Sequence, residues 1–287
     1  MDFYKFDGAG NDFVIIDARQ RDLQLSPEVI AHICHRRNGV GADGLMTLSE
    51  ASEGYDFMMR YYNADGLPAE MCGNGGRCIS LFAHLLGLGK EEEGVVRLRF
   101  LADDGPHEAE VLQWDMGKGK GIVRLSMREV SDGQRQQVLQ GELINTGVPH
   151  YVQRVTDLDH FDVVGEGRRL RHHPVMGREG ANVDFVELQP DGTMKVRTYE
   201  RGVEDETWAC GTGVTAVALV TGIGTIHARG GDFQVTFNHS DDGFRDIFLI
   251  GPVSLNFTGN ISLGDLYKLN NMELKRKLKR KLNRGVK

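Results

Sequence analysis

Cysteine is scarce in this chain and positive charge is in deficit. Four cysteines (Cys34, Cys72, Cys78 and Cys210) in 287 residues are too few for a disulfide scaffold. No C-x-x-C occurs, and Cys72 and Cys78 lie six positions apart, outside the short spacing of zinc ligands. No metal site is therefore expected. A net charge of −7 argues against a general nucleic-acid binder, which needs a basic surface. No apolar run reaches the length of a membrane span. The opening MDFYKFDGAGNDF has neither a basic n-region nor an apolar h-region, so no secretory signal is expected. A reducing cytoplasm is the expected home, and the sequons at Asn238, Asn256 and Asn260 then read as chance matches.

What is present is mostly strand-like alternation. VVRLRF (95–100) and HEAEVLQW (107–114) flank Asp-Asp-Gly-Pro and predict a hairpin. FQVTF and DIFLIG, flanking Ser-Asp-Asp-Gly, predict another, and GIVRLSM and MKVRTYE alternate in the same way. Helices are fewer. Ser26-Pro27-Glu28 supplies an N-cap and first turn for a helix expected to end near Gly39. Two more are expected to begin at the cysteine motifs CGNG (72–75) and CGTG (210–213). The stretches that follow are apolar on nearly every face, which is the pattern of a helix buried all round.

The two motifs stand 138 positions apart, and the same offset pairs Tyr61 with Tyr199, Gly73 with Gly211, Gly75 with Gly213 and Leu81 with Leu219. A constant offset over several segments indicates two structurally equivalent halves. The expected fold class is α/β of the α+β type, with two similar units, each a curved mixed sheet or barrel around a central buried helix. The expected division is an N-terminal unit of 1–114 plus about 256–268 and a C-terminal unit of 115–255, followed by a basic tail, 269–287. That tail, with leucines at 274, 278 and 282, reads either as a solvated extension or short helix, or as a membrane-surface or RNA-binding appendage.

GVGADG (39–44) satisfies the G-x-G-x-x-G pattern of dinucleotide sites, but it precedes a strand-like segment where that site needs a helix, so a tight turn is expected instead. Cys34 and Cys78 are expected to pack inertly. Cys72 and Cys210 differ, because glycines at +1 and +3 uncover backbone N–H groups at a helix start. Those groups and the dipole favour an anion. The same field is expected to bring the thiol below its free value of roughly 8.5. Two such motifs facing each other have a chemical use. Inverting a carbon centre needs a proton removed from one face and delivered to the other, and a thiolate with a thiol opposite it can do both.

The segments FDGAGNDFVIID, GVGADGL, NADGLPAEMCGNGGRC, GANVDFVE and YERGVEDETWACGTG, in that order, closely resemble diaminopimelate epimerases and cover residues from about 3 to 267. The resemblance implies a cofactor-independent epimerase converting LL-2,6-diaminopimelate to the meso isomer, in lysine and peptidoglycan precursor synthesis. It makes Cys72 and Cys210 the catalytic thiols, with His150 and Glu200 assisting. It places Asn11, Asn63, Asn182, Glu200 and Arg201 on the substrate, together with Gly73-Asn74 and Gly211-Thr212 at the helix starts. Two departures stand out. Val148-Pro149-His150 occupies the place of the family's Asn-Pro-His, and some members carry Gln at the position of Gly44. The expected partner is a small diamino dicarboxylate, with no nucleic acid and no membrane, and a homodimer is the assembly left open. Two rivals remain: a proline or hydroxyproline racemase of the same two-thiol logic, and a non-catalytic protein that binds small anions.

Overall fold

The structure is a computed structural model that describes residues 1–262 and 264, apart from 21, 22, 24 and 70. The expectations for residues 269–287 lie outside the described residues. No helix among the described residues is long and apolar enough to cross a membrane.

The chain opens with β1 (Asp2–Asp7), β2 (Asp12–Asp17) and helix α1 (Pro27–Cys34), then β3 (Gly44–Ser49) and β4 (Phe57–Asn63). The short β5 (Pro68–Ala69) leads into helix α2 (Gly73–Leu85). Beyond the short β6 (Lys90–Glu92) come β7 (Val95–Ala102), β8 (Gly105–Asp115) and β9 (Lys120–Ser126). The second half runs β10 (Val130–Ser131), β11 (Arg135–Val138), β12 (Gly141–Asn145) and β13 (Pro149–Arg154), then helix α3 (Val163–Arg171). It continues with β14 (Asn182–Leu188), β15 (Met194–Glu200), β16 (Asp205–Thr207) and helix α4 (Gly211–Thr221). The last strands are β17 (Thr225–Ala228), β18 (Gly231–Ser240) and the long β19 (Gly243–Asn260).

Pairing closes the first half into a ring of eight strands, β1-β2-β3-β4-β7-β8-β9-β19 and back to β1. Alternation explains which way its strands face. In β7, Val96, Leu98 and Phe100 point inward while Arg97 and Arg99 point out, opposite Glu110 and Glu108 of β8. Helix α2 threads this ring. Its residues from Gly73 to Ala83 are all buried, and Ile79, Leu81 and Phe82 pack with Phe6, Phe57, Phe100 and Leu125. Each fully buried side chain of that size contributes about 1.5–3 kcal/mol.

The second half repeats the plan around α4, with Val214, Val217 and Leu219 packed against Val186, Val196, Phe233 and Leu249. Its ring runs β12-β13-β14-β15-β17-β18-β19-β10, and the 3₁₀ turn Asp132–Gln134 joins β10 to β11 beside β12. The architecture is mixed α+β, with a closed barrel and few helices, as the two matching cysteine motifs implied. Helices α1 and α3 pack outside the rings, in separate cores.

Two segments cross between the rings side by side. Residues 243–250 of β19 pair with β18, and residues 251–260 pair with β9 and β1. In the opposite direction the chain leaves β9 for β10, and Met127 N donates to Ile247 O at the crossing. The first ring thus takes in β9, which lies past the expected limit at 114. Pairing reaches beyond the hairpin because β9 sits between β8 and β19.

Helix α1 stops at Cys34, short of Gly39. His35 is extended (φ −68°, ψ 121°), and its Nδ1 accepts from the backbone N–H groups of Arg37 and Asn38, 3.1 Å away in each case. A local side-chain turn replaces the next helical turn. GVGADG leads into β3, as the strand-like LMTL required.

Candidate active site

Cys72 and Cys210 are the N-cap residues of α2 and α4, each in extended conformation. The two helix starts meet head to head. A Cβ placed on Gly73 would stand 3.4 Å from Gly211 Cα, and one placed on Gly211 would stand 3.2 Å from Gly73 Cα. Glycine at both positions permits this close approach of backbone to backbone. A cleft of about 1200 Å³ opens over the meeting point and is lined by both cysteines. Asn11, Asn63, Gly73, Asn74, Asn182, Glu200, Arg201, Gly211 and Thr212 line it too, so residues far apart in sequence converge on one cleft.

The two sulfurs are held differently. Cys72 Sγ accepts from Gly75 N–H at 3.2 Å, an ordinary capping bond made by sulfur. Cys210 Sγ makes no cap and lies 3.3 Å from Thr212 Oγ1. Sequence reasoning expected both thiols below their ordinary range, and here the structure differs. Burial pushes Cys72 up to about 11, with Glu200 pushing the same way and the N–H of Gly75 pulling back. Cys210 is raised well above its usual range, first by burial and then by Glu200 and Asp184. The helix starts act in the expected direction, but desolvation outweighs them.

His150 lies behind the cleft rather than in its wall and is fully buried on β13. Its Nδ1 is 2.7 Å from Asp184 Oδ2, and that carboxylate can only accept, so Nδ1 carries the proton. Nε2 is left to accept, with Thr212 Oγ1 at 2.9 Å and Asn182 Nδ2 at 3.3 Å. A continuous path therefore runs from Cys210 through the Thr212 hydroxyl to His150 and Asp184. Thr198 Oγ1 donates to the other Asp184 oxygen at 2.7 Å.

Glu200 ends β15 and lines the same cleft as both thiols. Burial raises its carboxyl, with Thr207 and His150 pulling the other way. Asn182 spends its amide on the scaffold, since Oδ1 accepts from Arg201 N–H at 2.7 Å. That bond fixes the backbone at Arg201, whose guanidinium has no ion-pair partner among the described residues and lines the cleft. Such a planar fork suits a carboxylate. Asn11 Nδ2 donates to Asp43 Oδ2 at 2.7 Å, and Asn74 Nδ2 donates to Ala209 O across the interface at 3.0 Å.

Three features were not anticipated from sequence: the Asp184 support of His150, the Thr212 bridge, and a fully buried Arg77 bonded to Gly73 and Asn74 at the start of α2. Of these, Thr212 had a signal, because a hydroxyl two residues past an N-cap cysteine is within reach of its sulfur. Gly44 faces the ring of Tyr61: a Cβ there would lie 2.5 Å from Tyr61 Cε2 and 2.6 Å from Tyr62 O. Tyrosine fills the space that a longer side chain at 44 would need. Val148 lines the cleft with an apolar side chain.

Similar proteins follow the same outline. Solved structures sharing the fold include a probable proline racemase from Agrobacterium radiobacter, with a TM-score of 0.64 at 14% identity, covering 91% of this chain and 93% of that one. A hydroxyproline epimerase from Agrobacterium vitis, with trans-4-hydroxy-L-proline bound, gives a TM-score of 0.59 at 15% identity over 90% and 91% of the two chains. Sequence relatives are far closer. A diaminopimelate epimerase from Flavobacterium psychrophilum is 41% identical over 273 residues, covering 91% of this chain and all of the relative. One from Chlorobaculum tepidum is also 41% identical, over 89% of this chain and 99% of its own. The family model for diaminopimelate epimerase matches residues 3–111 and 142–255. With the paired cysteine helix starts and their shared cleft, these matches make the chain a member of the diaminopimelate epimerase family.

Proposed function

We propose that this protein inverts one α-carbon of LL-2,6-diaminopimelate to give the meso isomer, using Cys72 and Cys210 as the two bases and no cofactor. The observation that carries the proposal is the head-to-head meeting of two cysteine-capped helix starts under one cleft. A substrate α-carbon held between the sulfurs is open to a proton acceptor on one face and a proton donor on the other. The thiolate takes the α-proton and becomes a thiol. The C–H electron pair moves into the carboxylate as enolate-like charge, and the opposite thiol then delivers its proton and becomes a thiolate. The free N–H groups of both helices face the carboxylate where that charge gathers. Each turnover leaves the protonation of the pair reversed. The Thr212 hydroxyl, able to turn its proton toward Cys210 or His150, offers a path for resetting it.

The polar residues suit a substrate with two charged ends. Arg201 would meet the distal carboxylate and Glu200 an ammonium, with Asn11 and Asn63 completing the wall. A proline-type substrate needs fewer such contacts. Because one chain supplies both thiols, activity is expected of a monomer and a homodimer alike. A reducing cytoplasm suits two working thiols that must not pair.

The test is solvent deuterium uptake at the α-carbon, with the isomers resolved by chiral chromatography and L-proline run in parallel. Uptake into diaminopimelate with inversion supports the reading. Saturable binding without uptake indicates an anion-binding protein, and preferred turnover of proline indicates the racemase.

Two further outcomes follow from the geometry. Because burial holds both thiols high, the thiolate base is sparse at neutral pH and grows with alkalinity. So kcat/KM for exchange is expected to climb between about pH 7 and 9, by up to about tenfold per pH unit, and to fall once both thiols ionise. A flat profile over that range would contradict it. Val148→Asn restores a hydrogen-bonding side chain to the cleft wall and is expected to lower KM by about two- to tenfold, with kcat nearly unchanged. Steady-state kinetics on wild type and variant decide this.

A further inference from the structure

Arg77 is fully buried, yet among the described residues no carboxylate pairs with it. Its NH1 donates to Gly73 O at 2.9 Å and its NH2 to Asn74 Oδ1 at 3.1 Å, while Nε has no partner. The guanidinium lies 5.2 Å from the ring centre of Phe233, on the second barrel, and beside Gly251, where β19 crosses. Burying a cation without an anion is costly, and such groups persist where something else supplies the negative charge. Burial lowers Arg77 to about 10, which still leaves it charged at neutral pH.

The equivalent position in the second unit, 138 residues on, is Thr215. Its Oγ1 donates to Gly211 O at 2.9 Å, the same backbone bond that Arg77 makes to Gly73 O. The two half-sites thus share a hydrogen bond and differ by a full charge. Behind Cys210 stand Asp184 and Glu200, both unfavourable to an anion there. Around Cys72, Glu200 from β15 opposes an anion and Arg77 favours it, while Tyr61 of β4 and Asp7 of β1 are the other ionisable neighbours of the pair, with Cys78 on α2 itself.

We infer that Arg77 is the built-in counter-charge of the first half-site, a positioning residue that stabilises the thiolate of Cys72 and has no equivalent at Cys210. Through Asn74, which reaches Ala209 O on the other side, it also ties the charged half-site to the residue just before Cys210. The inference deepens the two-thiol reading and assigns the base at rest to Cys72.

The test reads each thiol alone, by the pH dependence of iodoacetamide alkylation followed by mass spectrometry. Cys72 is read in a Cys210→Ala background and Cys210 in a Cys72→Ala background. With Arg77 intact, Cys72 is expected to react about tenfold faster than Cys210 at pH 8. Arg77→Met is expected to move the Cys72 midpoint up by about one pH unit or more and to leave Cys210 within about twofold, while Arg77→Lys recovers most of the Cys72 rate. An unmoved Cys72 midpoint in folded Arg77→Met, equal slowing of both thiols, or no recovery in Arg77→Lys would overturn the inference. Should Arg77→Met fail to fold, the order of the two thiols with Arg77 intact still decides, and faster reaction at Cys210 would overturn it. No substrate is used, so a failure of the epimerase reading appears in the deuterium assay and leaves this result standing by itself.

Discussion

Cys72→Ala and Cys210→Ala are each expected to reduce inversion of diaminopimelate by roughly 10²–10⁴-fold, the range for losing a positioned acid or base. The reason is geometric. The sulfurs cap separate helices, and neither can reach round to the opposite face of a carbon held between them. A variant retaining one thiol can at most remove and return a proton on the same face. Deuterium exchange without inversion, from one isomer and not the other, is therefore the signature expected of each single variant. The double variant is expected to be no worse in inversion than either single one, because the pair acts as a unit. Measuring exchange and isomer ratio together, starting from each isomer in turn, separates these outcomes. Undiminished inversion in either single variant would end the two-thiol mechanism.

Gly211→Val is expected to cost about 10²-fold in kcat/KM while the protein still folds. Its Cβ would stand 3.2 Å from Gly73 Cα and 3.1 Å from Leu249 Cδ2. The leucine end can turn away, but the facing backbone cannot, and valine adds two methyl groups at the same place. The helix starts must separate, and a displacement near 1 Å at a reacting centre is worth about 10²-fold. Overpacking of this kind costs about 1–3 kcal/mol, which a urea titration of wild type and variant would register. A loss of stability with unchanged kcat/KM would mean that the spacing of the helix starts does not govern the reaction.

The site was legible in the sequence wherever its logic is local. An N-cap cysteine followed by glycines at +1 and +3 states its own chemistry, and the constant offset of 138 positions announced that two such sites belong together. Strand alternation and the Asp-Asp-Gly turns located both hairpins for the same reason. What remained hidden depends on neighbours distant in the chain. The shift of the thiols is set by burial, which no spacing encodes, and by Glu200 and Asp184 on other strands. His150 finds Asp184 because β13 and β14 lie parallel. Arg77, in a stretch of sequence that reads as apolar helix, gave no sign that its charge stays inside. The early end of α1 turned on one imidazole accepting two backbone N–H groups.

The strand that crosses between the rings also sets an order of events during synthesis. By Ser126 a ribosome has synthesised seven of the eight strands of the first ring, along with helix α2 and Cys72. The eighth lies in residues 251–260, pairing with β9 on one side and as far as Asp2 on the other. Until it emerges, β1 and β9 present open edges, and the interior around Phe82 has a gap in its wall. Closing it demands contacts that span almost the whole chain, the kind that makes folding slow. The nascent N-terminal half is therefore the stage at which this protein most needs protection from aggregation. The thiol of Cys72 reaches its final surroundings only after residues 251–260 have been made.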